Sequence, residues 1–176
     1  ARFAERLQGF QKHQVRAVAT QTLREARNRD DFTRRAQEIL GFPIEVVSGH
    51  EEARLIYQGV SHLLPQSDEK RLVIDIGGRS TEVILGQGYS ASKMESYRLG
   101  SVAWSSRYFP RGQITQQSLQ TSEIAAKAVL DEALDAYPVG SWDTAYGSSG
   151  TVGAVAEILT LNGWPAGQIT RAGLDW

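Results

Sequence analysis

The segment that most constrains the fold is an apolar run that a glycine pair interrupts and that then resumes, VIDIGGRSTEVIL at residues 73–85. β-Branched residues dominate both flanks, and Gly77 and Gly78 between them allow a tight turn, so the segment predicts a β-hairpin. These glycines can adopt a positive φ and let backbone N–H groups approach a ligand, as a phosphate-handling turn requires.

Asp75 stands at the end of the first predicted strand, beside the turn. A carboxylate in an otherwise apolar strand is costly unless a metal ion, a water network or the N–H groups of the turn pair with it. Capping of a tight Gly-Gly turn would explain the same residue. This stretch alone leaves both interpretations open.

The chain has 176 residues, of which 41% are hydrophobic and 22% charged, which fits one ordinary domain or two small lobes. The absence of cysteine excludes disulfides, zinc–thiolate sites and cysteine nucleophiles, and it is compatible with a cytosolic location. No uninterrupted apolar segment reaches the roughly 20 residues that cross a bilayer. We therefore expect no transmembrane segment.

The net charge of −1 provides no global basic field of the kind that nucleic-acid-binding proteins use. The charge is uneven, since residues 1–49 carry a net +3 and residues 50–176 a net −4. Several arginines of the first segment could guide a polyanion, although a solvated surface explains them as well: Arg24, Arg27, Arg29, Arg34 and Arg35. We expect surface histidines and packed tryptophans, because neither residue type shows a zinc or base-stacking pattern.

Strands and helices alternate in the first third of the chain, which predicts an α/β layer. The predicted elements are an opening helix with Phe3, Leu7 and Phe10 on one face, a strand over 14–20, helices over 22–29 and 31–40, and a strand over 43–47. The chain opens directly in helical periodicity and its only methionine is Met94, so we expect a fragment of a longer protein.

Ser48 and Glu51 have the capping-box spacing, which predicts a helix from there to about residue 64. Its buried stripe is expected to consist of four residues: Ala53, Ile56, Tyr57 and Val60. Because Glu51 has the capping position, Glu52 points about 100° away around the helix and is free for chemistry.

A second glycine–hydroxyl loop is predicted near the end of the chain. The elements before it are a strand over 94–98, a short helix over 102–108, an amphipathic helix over 115–136 with Ile124, Ala128 and Leu134 among its apolar positions, and a strand over 143–146. Residues 147–151 then precede a helix over 152–161. A helix N-terminus suits an anionic phosphate, but a simple N-cap at Ser149 or Thr151 would also explain the loop.

Three segments together favour phosphoanhydride hydrolysis, which needs backbone donors for phosphate, a divalent cation and a carboxylate that orients water. They are SGHEEARLIY at 48–57, VIDIGGRSTE at 73–82 and GSSGT at 147–151. In order and spacing they resemble the exopolyphosphatase / guanosine pentaphosphate phosphatase family, and the resemblance covers essentially the whole chain. Bacterial exopolyphosphatases resemble it most.

The resemblance implies an α/β fold of the actin-like ATPase superfamily, with a ribonuclease-H-like lobe built on a mixed sheet flanked by helices and the remnant of a second such lobe. Residues 1–57 would be the C-terminal part of the first lobe and 58–176 the second lobe, truncated at its C-terminal end. The family's first phosphate loop has no counterpart here, which agrees with a fragment.

The resemblance also implies roles for individual residues. Glu52 would be the catalytic carboxylate that activates water, and Asp75 and Glu82 would bind Mg²⁺. Phosphate would be held by the residues of the two loops: Gly77, Gly78, Ser80, Gly147, Ser149, Gly150 and Thr151. Arg79 stands where the family usually has a third glycine, so it could crowd the turn or add a donor to phosphate.

By the same resemblance, the full-length protein would be a cytoplasmic homodimer, with or without peripheral attachment to a membrane. It would release orthophosphate from inorganic polyphosphate with Mg²⁺, and with K⁺ as an activator, while the fragment alone would be inactive. The alternatives are a guanosine pentaphosphate 5′-phosphatase of the stringent response and, in another class, a non-catalytic module that binds polyphosphate or nucleotides. No nucleic-acid partner is expected.

Overall fold

A computed structural model describes residues 2–176 of the chain. The residue contacts divide the chain into two compact units, Ala1–Glu52 and Ala53–Trp176. Each unit has its own β-sheet, with two strands in the first and four in the second. The predicted lobe boundary after residue 57 stays a prediction.

The first unit contains strand–helix–strand alternation, as predicted. Its elements are α1 (Arg2–Arg6), β1 (Ala17–Ala19), α2 (Gln21–Glu25), α3 (Arg29–Leu40), β2 (Ile44–Val46) and the start of α4 (Gly49–Leu63). Strands β1 and β2 are parallel, and α2 and α3 form the crossover between them. Helix α3 ends where Gly41 adopts a φ of 79° and donates its N–H to the Gln37 carbonyl.

Two helices of the first unit are shorter than predicted. Helix α1 ends at Arg6, so Phe10 does not extend its apolar face, and Gly9 has a φ of 88° that no α-helix contains. Helix α2 ends at Glu25, because Ala26 is extended, with a ψ of 125°. The apolar spacing over 3–10 and 22–29 therefore overestimated helix length.

The second unit is built on a four-stranded mixed sheet with the strand order β5-β4-β3-β6. Its strands are β3 (Lys70–Ile76), β4 (Thr81–Gln87), β5 (Ser90–Tyr97) and β6 (Thr144–Ser148). Strands β3, β4 and β5 pair antiparallel, and β6 joins β3 in parallel. The predicted hairpin is confirmed as β3 and β4, while β5 begins four residues before the predicted strand.

Helices cover both faces of this sheet. On one face Ala53 and Tyr57 of α4 pack on Val73 and Ile84, and Ile56 and Val60 lie against the same cluster, which confirms the predicted stripe. On the other face the core joins sheet residues to the end of α6 (Gln116–Ala136) and to the residue after it: Leu72, Val83, Tyr97 and Tyr137. Burying both faces is what allows β3 to be apolar throughout its middle.

The buried side of α6 differs from the predicted one. Ile124 and Leu134 are 69% and 71% exposed, whereas Val129, Leu130 and Ala133 pack on the sheet core. Apolar residues occur on more than one side of this helix, so the sequence offers more than one candidate stripe, and the sheet core packs against the one that contains Val129, Leu130 and Ala133.

The last helices are α5 (Ser101–Tyr108), α7 (Ser149–Leu161) and α8 (Arg171–Leu174). The loop predicted at 147–151 is wrong, because Gly147 and Ser148 end β6 and Ser149 already begins α7. A Cβ on Gly147 would lie 2.2 Å from Cγ1 of Val152, so only glycine lets the strand run this closely into the helix. Within residues 2–176, no helix combines the length and the apolar character that a membrane span needs.

Candidate functional site

The strand register brings four polar residues into one row across the sheet of the second unit. Asp75 of β3 pairs with Glu82 of β4 on one side and with Ser148 of β6 on the other, and Glu82 pairs with Ser96 of β5. Paired residues share a face of the sheet, so the four side chains lie side by side at the end where β3 enters the glycine turn. The Ser96 hydroxyl donates to Oε1 of Glu82 at 2.7 Å.

The two carboxylates of this row differ in exposure. Glu82 is 1% exposed, whereas Asp75 is half-buried. Directly opposed residues on two strands have Cβ atoms about 5 Å apart, where two negative charges repel each other, so the pair favours a bound cation. The predicted metal ligands, Asp75 and Glu82, are therefore neighbours in the structure.

The glycine turn is held by the start of helix α5. The Gly77 N–H donates to the Ser80 carbonyl at 3.0 Å, which closes the turn. The Gly77 carbonyl accepts from the N–H of Ser101 at 3.0 Å and from its hydroxyl at 3.3 Å, and the Gly78 carbonyl accepts from the Ala103 N–H at 2.9 Å. Because α5 takes the carbonyls of Gly77 and Gly78, and the Gly77 N–H closes the turn, only the remaining amides of the turn can be offered to an anion.

The conformation of the turn settles the question of Arg79. None of Gly77, Gly78 and Arg79 has a positive φ, so the expected use of φ > 0 at the glycines is wrong, and an arginine fits the turn without backbone strain. What limits the turn is contact with its surroundings. A Cβ on Gly78 would lie 3.3 Å from Cγ2 of Val102.

Sequence reasoning missed Gly100, the residue before α5. A Cβ at this position would lie 2.3 Å from the backbone nitrogen of Arg79 and 2.4 Å from its Cα and carbonyl carbon. The backbone of Gly100 therefore rests directly on the backbone of the turn. Gly100 has an extended φ of −137°, which any residue can adopt, so its backbone conformation does not require glycine. In the sequence, its position before a predicted helix is the only feature that distinguishes it.

The start of α7 completes the same region. Ser149 has a φ of 75°, which L-residues rarely adopt, and Thr151 donates its hydroxyl to the Ser101 hydroxyl at 3.1 Å. Since Ser101 also bonds Gly77, a chain of hydrogen bonds connects the first turn of α7 to the glycine turn. The structure thus brings the two predicted phosphate-binding segments together, although Ser80 within the first of them is buried.

Glu52, the predicted catalytic carboxylate, belongs to the first unit and is not free. Its Oε2 lies 2.7 Å from Nη1 of Arg24, and the two side chains are only 14% and 18% exposed. Arg24 also donates to the Val47 carbonyl at 2.9 Å and to the Gln21 side chain, so the carboxylate is bound to a fixed guanidinium. Sequence reasoning grouped Arg24 with surface arginines, because nothing in the sequence connects residues 28 positions apart.

The neighbouring acid has a different partner. The Ser48 hydroxyl accepts the Glu51 N–H at 3.1 Å, which confirms the predicted N-cap. The carboxylate of Glu51 accepts from Nη2 of Arg16 at 3.1 Å, and Arg16 also bonds Glu45, which raises the pKa of the Arg16 guanidinium. The two adjacent acids thus bind two different arginines.

The donor set of the polar row fits Mg²⁺, which binds proteins through one or two carboxylates and keeps waters and substrate phosphates as its other ligands. Asp75 and Glu82 supply two carboxylates beside a turn whose amides suit phosphate. In the described part of the chain, no group of three or more acidic or histidine side chains could hold a metal ion by itself. An ion here would need further ligands.

A mixed sheet flanked by helices, with paired carboxylates and a glycine turn at one end, is the α/β architecture that the resemblance to the actin-like ATPase superfamily predicts. The sequence model of the Ppx/GppA phosphatase family matches residues 1–175. The chain belongs to this family, as the sequence motifs predicted.

Solved structures agree with this assignment. An exopolyphosphatase-like protein is 31% identical with a TM-score of 0.76 over 82% of this chain and 46% of its own. The Ppx/GppA family member from Aquifex aeolicus is 27% identical with a TM-score of 0.69 over 93% of this chain and 52% of its own. An exopolyphosphatase from Cytophaga hutchinsonii, 24% identical with a TM-score of 0.76 over 92% of this chain and 52% of its own, shares the fold. The chain thus spans about half the length of these structures.

Proposed function

We propose that the chain carries the phosphate-binding and water-activating groups of an exopolyphosphatase, an enzyme that releases orthophosphate from the end of inorganic polyphosphate with Mg²⁺. The observation that carries this proposal is the row of Asp75, Glu82, Ser96 and Ser148 beside the glycine turn. Membership of the phosphatase family and similarity to an exopolyphosphatase-like protein support it.

In this proposal the glycine turn and the first turn of α7 bind the terminal phosphates. The N–H donors would come from Gly78 and Ser80 of the glycine turn and from the first turn of α7, with Gly150 and Thr151. The Gly77 N–H instead closes the turn on the Ser80 carbonyl. Fixed donors that are already oriented stabilise charge that develops on phosphate oxygens without reorganisation. The Thr151–Ser101–Gly77 hydrogen bonds keep both sets of donors in one arrangement.

Mg²⁺ would be held by Asp75 and the buried Glu82, directly or through water, and it would neutralise charge on the phosphate oxygens. Glu82 is in turn oriented by the Ser96 hydroxyl. The two carboxylates would no longer repel each other once the cation is bound.

Glu52 is proposed to orient and deprotonate the attacking water. One of its oxygens is bound to Arg24, which leaves the other oxygen to accept a hydrogen bond from water. Arg24 would thereby fix the direction of that second oxygen. By family resemblance, we further propose that the whole protein acts as a homodimer in the cytoplasm.

The test is orthophosphate release by the whole protein from long-chain polyphosphate and from guanosine pentaphosphate, with and without Mg²⁺. We expect Mg²⁺-dependent release from polyphosphate, a loss of roughly a hundredfold or more in Glu52→Gln, and unchanged polyphosphate binding. Glu51→Gln is the matched control, because this neighbour bonds Arg16 and has no proposed role.

The outcomes separate the three candidates. Faster release from guanosine pentaphosphate than from polyphosphate would reassign the substrate. Binding of polyphosphate with no release by any variant would favour a non-catalytic module. Equal losses in Glu51→Gln and Glu52→Gln would refute the role given to Glu52.

A further inference from the structure

A buried glutamine lies beside the arginine that binds Glu52. Gln21 is 8% exposed and begins helix α2, and Arg24 follows three residues later on the same side of that helix. A buried amide costs free energy unless its donor and its acceptor are both bonded. The hydrogen-bond partners of Gln21 are therefore informative about its role.

Both ends of the Gln21 amide are bonded, and the partners allow only one orientation of it. Its Oε1 accepts from Nε of Arg24 at 3.0 Å and from Nη2 at 2.6 Å, and its Nε2 donates to Oε1 of Glu25 at 2.7 Å. A guanidinium can only donate and a carboxylate can only accept, so the amide cannot turn over between these two neighbours. Gln21 thus holds two nitrogens of the Arg24 guanidinium in a fixed plane.

The third nitrogen of the guanidinium faces the carboxylate of Glu52. Nη1 of Arg24 donates to the Val47 carbonyl at 2.9 Å and to Oε2 of Glu52 at 2.7 Å. Val47 is 3% exposed and directly follows β2, and its own N–H donates to the carbonyl of Ala19, the last residue of β1. The guanidinium is therefore anchored to the sheet on one side and to the Gln21 amide on the other.

These groups meet where the two parallel strands of the first unit end. Gln21 lies two residues after β1, and Glu52 lies six residues after β2. In open α/β sheets, ligands bind outside the carboxyl ends of the strands. The hydrogen-bonded chain from Glu25 through Gln21 and Arg24 thus ends on Glu52 at the edge where a substrate is expected.

We infer that Gln21 is a positioning residue for the proposed hydrolysis and that it acts on Glu52 through Arg24. This inference rests on the proposed function. With the guanidinium fixed, Oε2 of Glu52 has one bonding position, and that position sets the direction in which Oε1 meets the attacking water. Without Gln21, Arg24 can rotate about the bonds of Nη1, so Glu52 adopts further orientations. A misdirected general base lowers turnover rather than substrate binding.

The test is steady-state orthophosphate release from long-chain polyphosphate by the whole protein with Mg²⁺, for Gln21→Met, Glu52→Gln and the double variant. Methionine has nearly the shape of glutamine but lacks the amide. We expect Gln21→Met to lower kcat roughly three- to thirtyfold with KM within about twofold, as part of the roughly 10²–10⁴-fold that a positioned general base contributes. In the Glu52→Gln background the same substitution should change kcat by less than about twofold, because no general base is left to position.

Gln37→Met is the matched control. Gln37 is a half-buried glutamine of the same unit whose Oε1 accepts the Ile44 N–H at 2.7 Å, and within residues 2–176 no hydrogen bond joins its side chain to Arg24 or Glu52. Its substitution should lower the melting temperature and leave kcat as in the wild type. Gln21→Asn keeps an amide that is one methylene too short to reach Arg24, and it should repeat the loss in kcat if Gln21→Met does not fold.

The outcomes separate this inference from the proposed function. If Glu52→Gln releases orthophosphate as fast as the wild type, the role of Glu52 fails and the inference fails with it. If Glu52→Gln is impaired but a Gln21 variant that circular dichroism shows to be folded has the wild-type kcat, only the inference is refuted. An equal loss from Gln21→Met in both backgrounds, or the same loss in Gln37→Met, would also refute it, because Gln21 would then not act through Glu52.

Discussion

We predict that Gly100→Ala separates the glycine turn from helix α5 and destabilises the second unit. The backbone of Gly100 already has dihedral angles that alanine adopts, so the added methyl group acts only through its contacts. Those contacts would be 2.3–2.4 Å from three backbone atoms of Arg79. The turn would have to withdraw by about 1 Å to restore an ordinary contact of 3.4 Å.

The magnitude follows from the hydrogen bonds that such a movement breaks. The carbonyls of Gly77 and Gly78 accept three bonds from Ser101 and Ala103, with lengths between 2.9 and 3.3 Å. A net contribution of about 1 kcal/mol for each gives a loss of roughly 2–4 kcal/mol in the free energy of unfolding. Weaker phosphate binding should accompany it, because the amides of the turn move with its carbonyls.

Urea-induced unfolding followed by circular dichroism measures the loss. The control is Gly59→Ala on α4, where a Cβ would meet nothing within 4 Å and alanine is the better helix former, so stability should rise by about 0.5–1 kcal/mol. If Gly100→Ala unfolds at the same urea concentration as the wild type, the argument that contact at Gly100 positions the turn is wrong.

Three further predictions concern side chains of the two units. In the first unit, Arg24→Met should lower the free energy of unfolding by about 1–2 kcal/mol, because it removes the partner of Glu52. A double-mutant cycle with Glu52→Gln, measured by urea unfolding, should give a coupling free energy of about 1 kcal/mol between the two residues. Additive effects of the two substitutions would contradict the ion pair. In the second unit, the Glu69 carboxylate accepts side-chain hydrogen bonds that lower its pKa below 4.5, and the one from Thr144 has the largest effect. The stability that these bonds contribute is therefore present above about pH 4.5 and is lost as the pH falls through the lowered pKa. The stability difference between wild type and Glu69→Gln, from melting temperatures, should therefore shrink below about pH 4.5, and a constant difference would exclude this role. Ser149→Gly should raise the free energy of unfolding by about 0.5–1 kcal/mol, because relief of about 1–2 kcal/mol of strain at the positive φ of Ser149 exceeds the entropy cost of glycine. If urea unfolding instead shows a lower free energy of unfolding, the hydroxyl group contributes more than the strain costs.

The hairpin and the core stripe of α4 could be predicted because local chemistry determines them. β-Branched runs around Gly77 and Gly78 have few other structures available, and the Ser48 cap starts a helix whose period is unambiguous. The buried side of α6 could not be predicted in the same way. Ile124 is more apolar than Ala133, yet Ile124 is exposed and Ala133 packs on the sheet core, because the docking of the helix on the sheet decides which side is buried.

The candidate site shows the same division. Asp75 and the turn could be identified from the sequence, because an acid in an apolar strand needs an explanation. The partner of Glu52 and the role of Gly100 could not, since both depend on contacts between distant segments: Arg24 with Glu52, and Gly100 with Arg79. Such contacts follow from tertiary structure and leave no signal in the local sequence.

The polar row at the end of the sheet cannot be adjusted gradually. If β4 slipped by one residue against β3, the Glu82 side chain would turn to the opposite face of the sheet. Thr81 or Val83 would then stand opposite Asp75, so the pairing of the two acids is either complete or absent. The one irregularity between β4 and β5 lies at Leu85 and Gly86, toward the far end of the strand from the acids. An extra residue is thus absorbed there as a bulge. We expect insertions in the β4–β5 turn to be tolerated, whereas a single insertion between Asp75 and Glu82 abolishes the site.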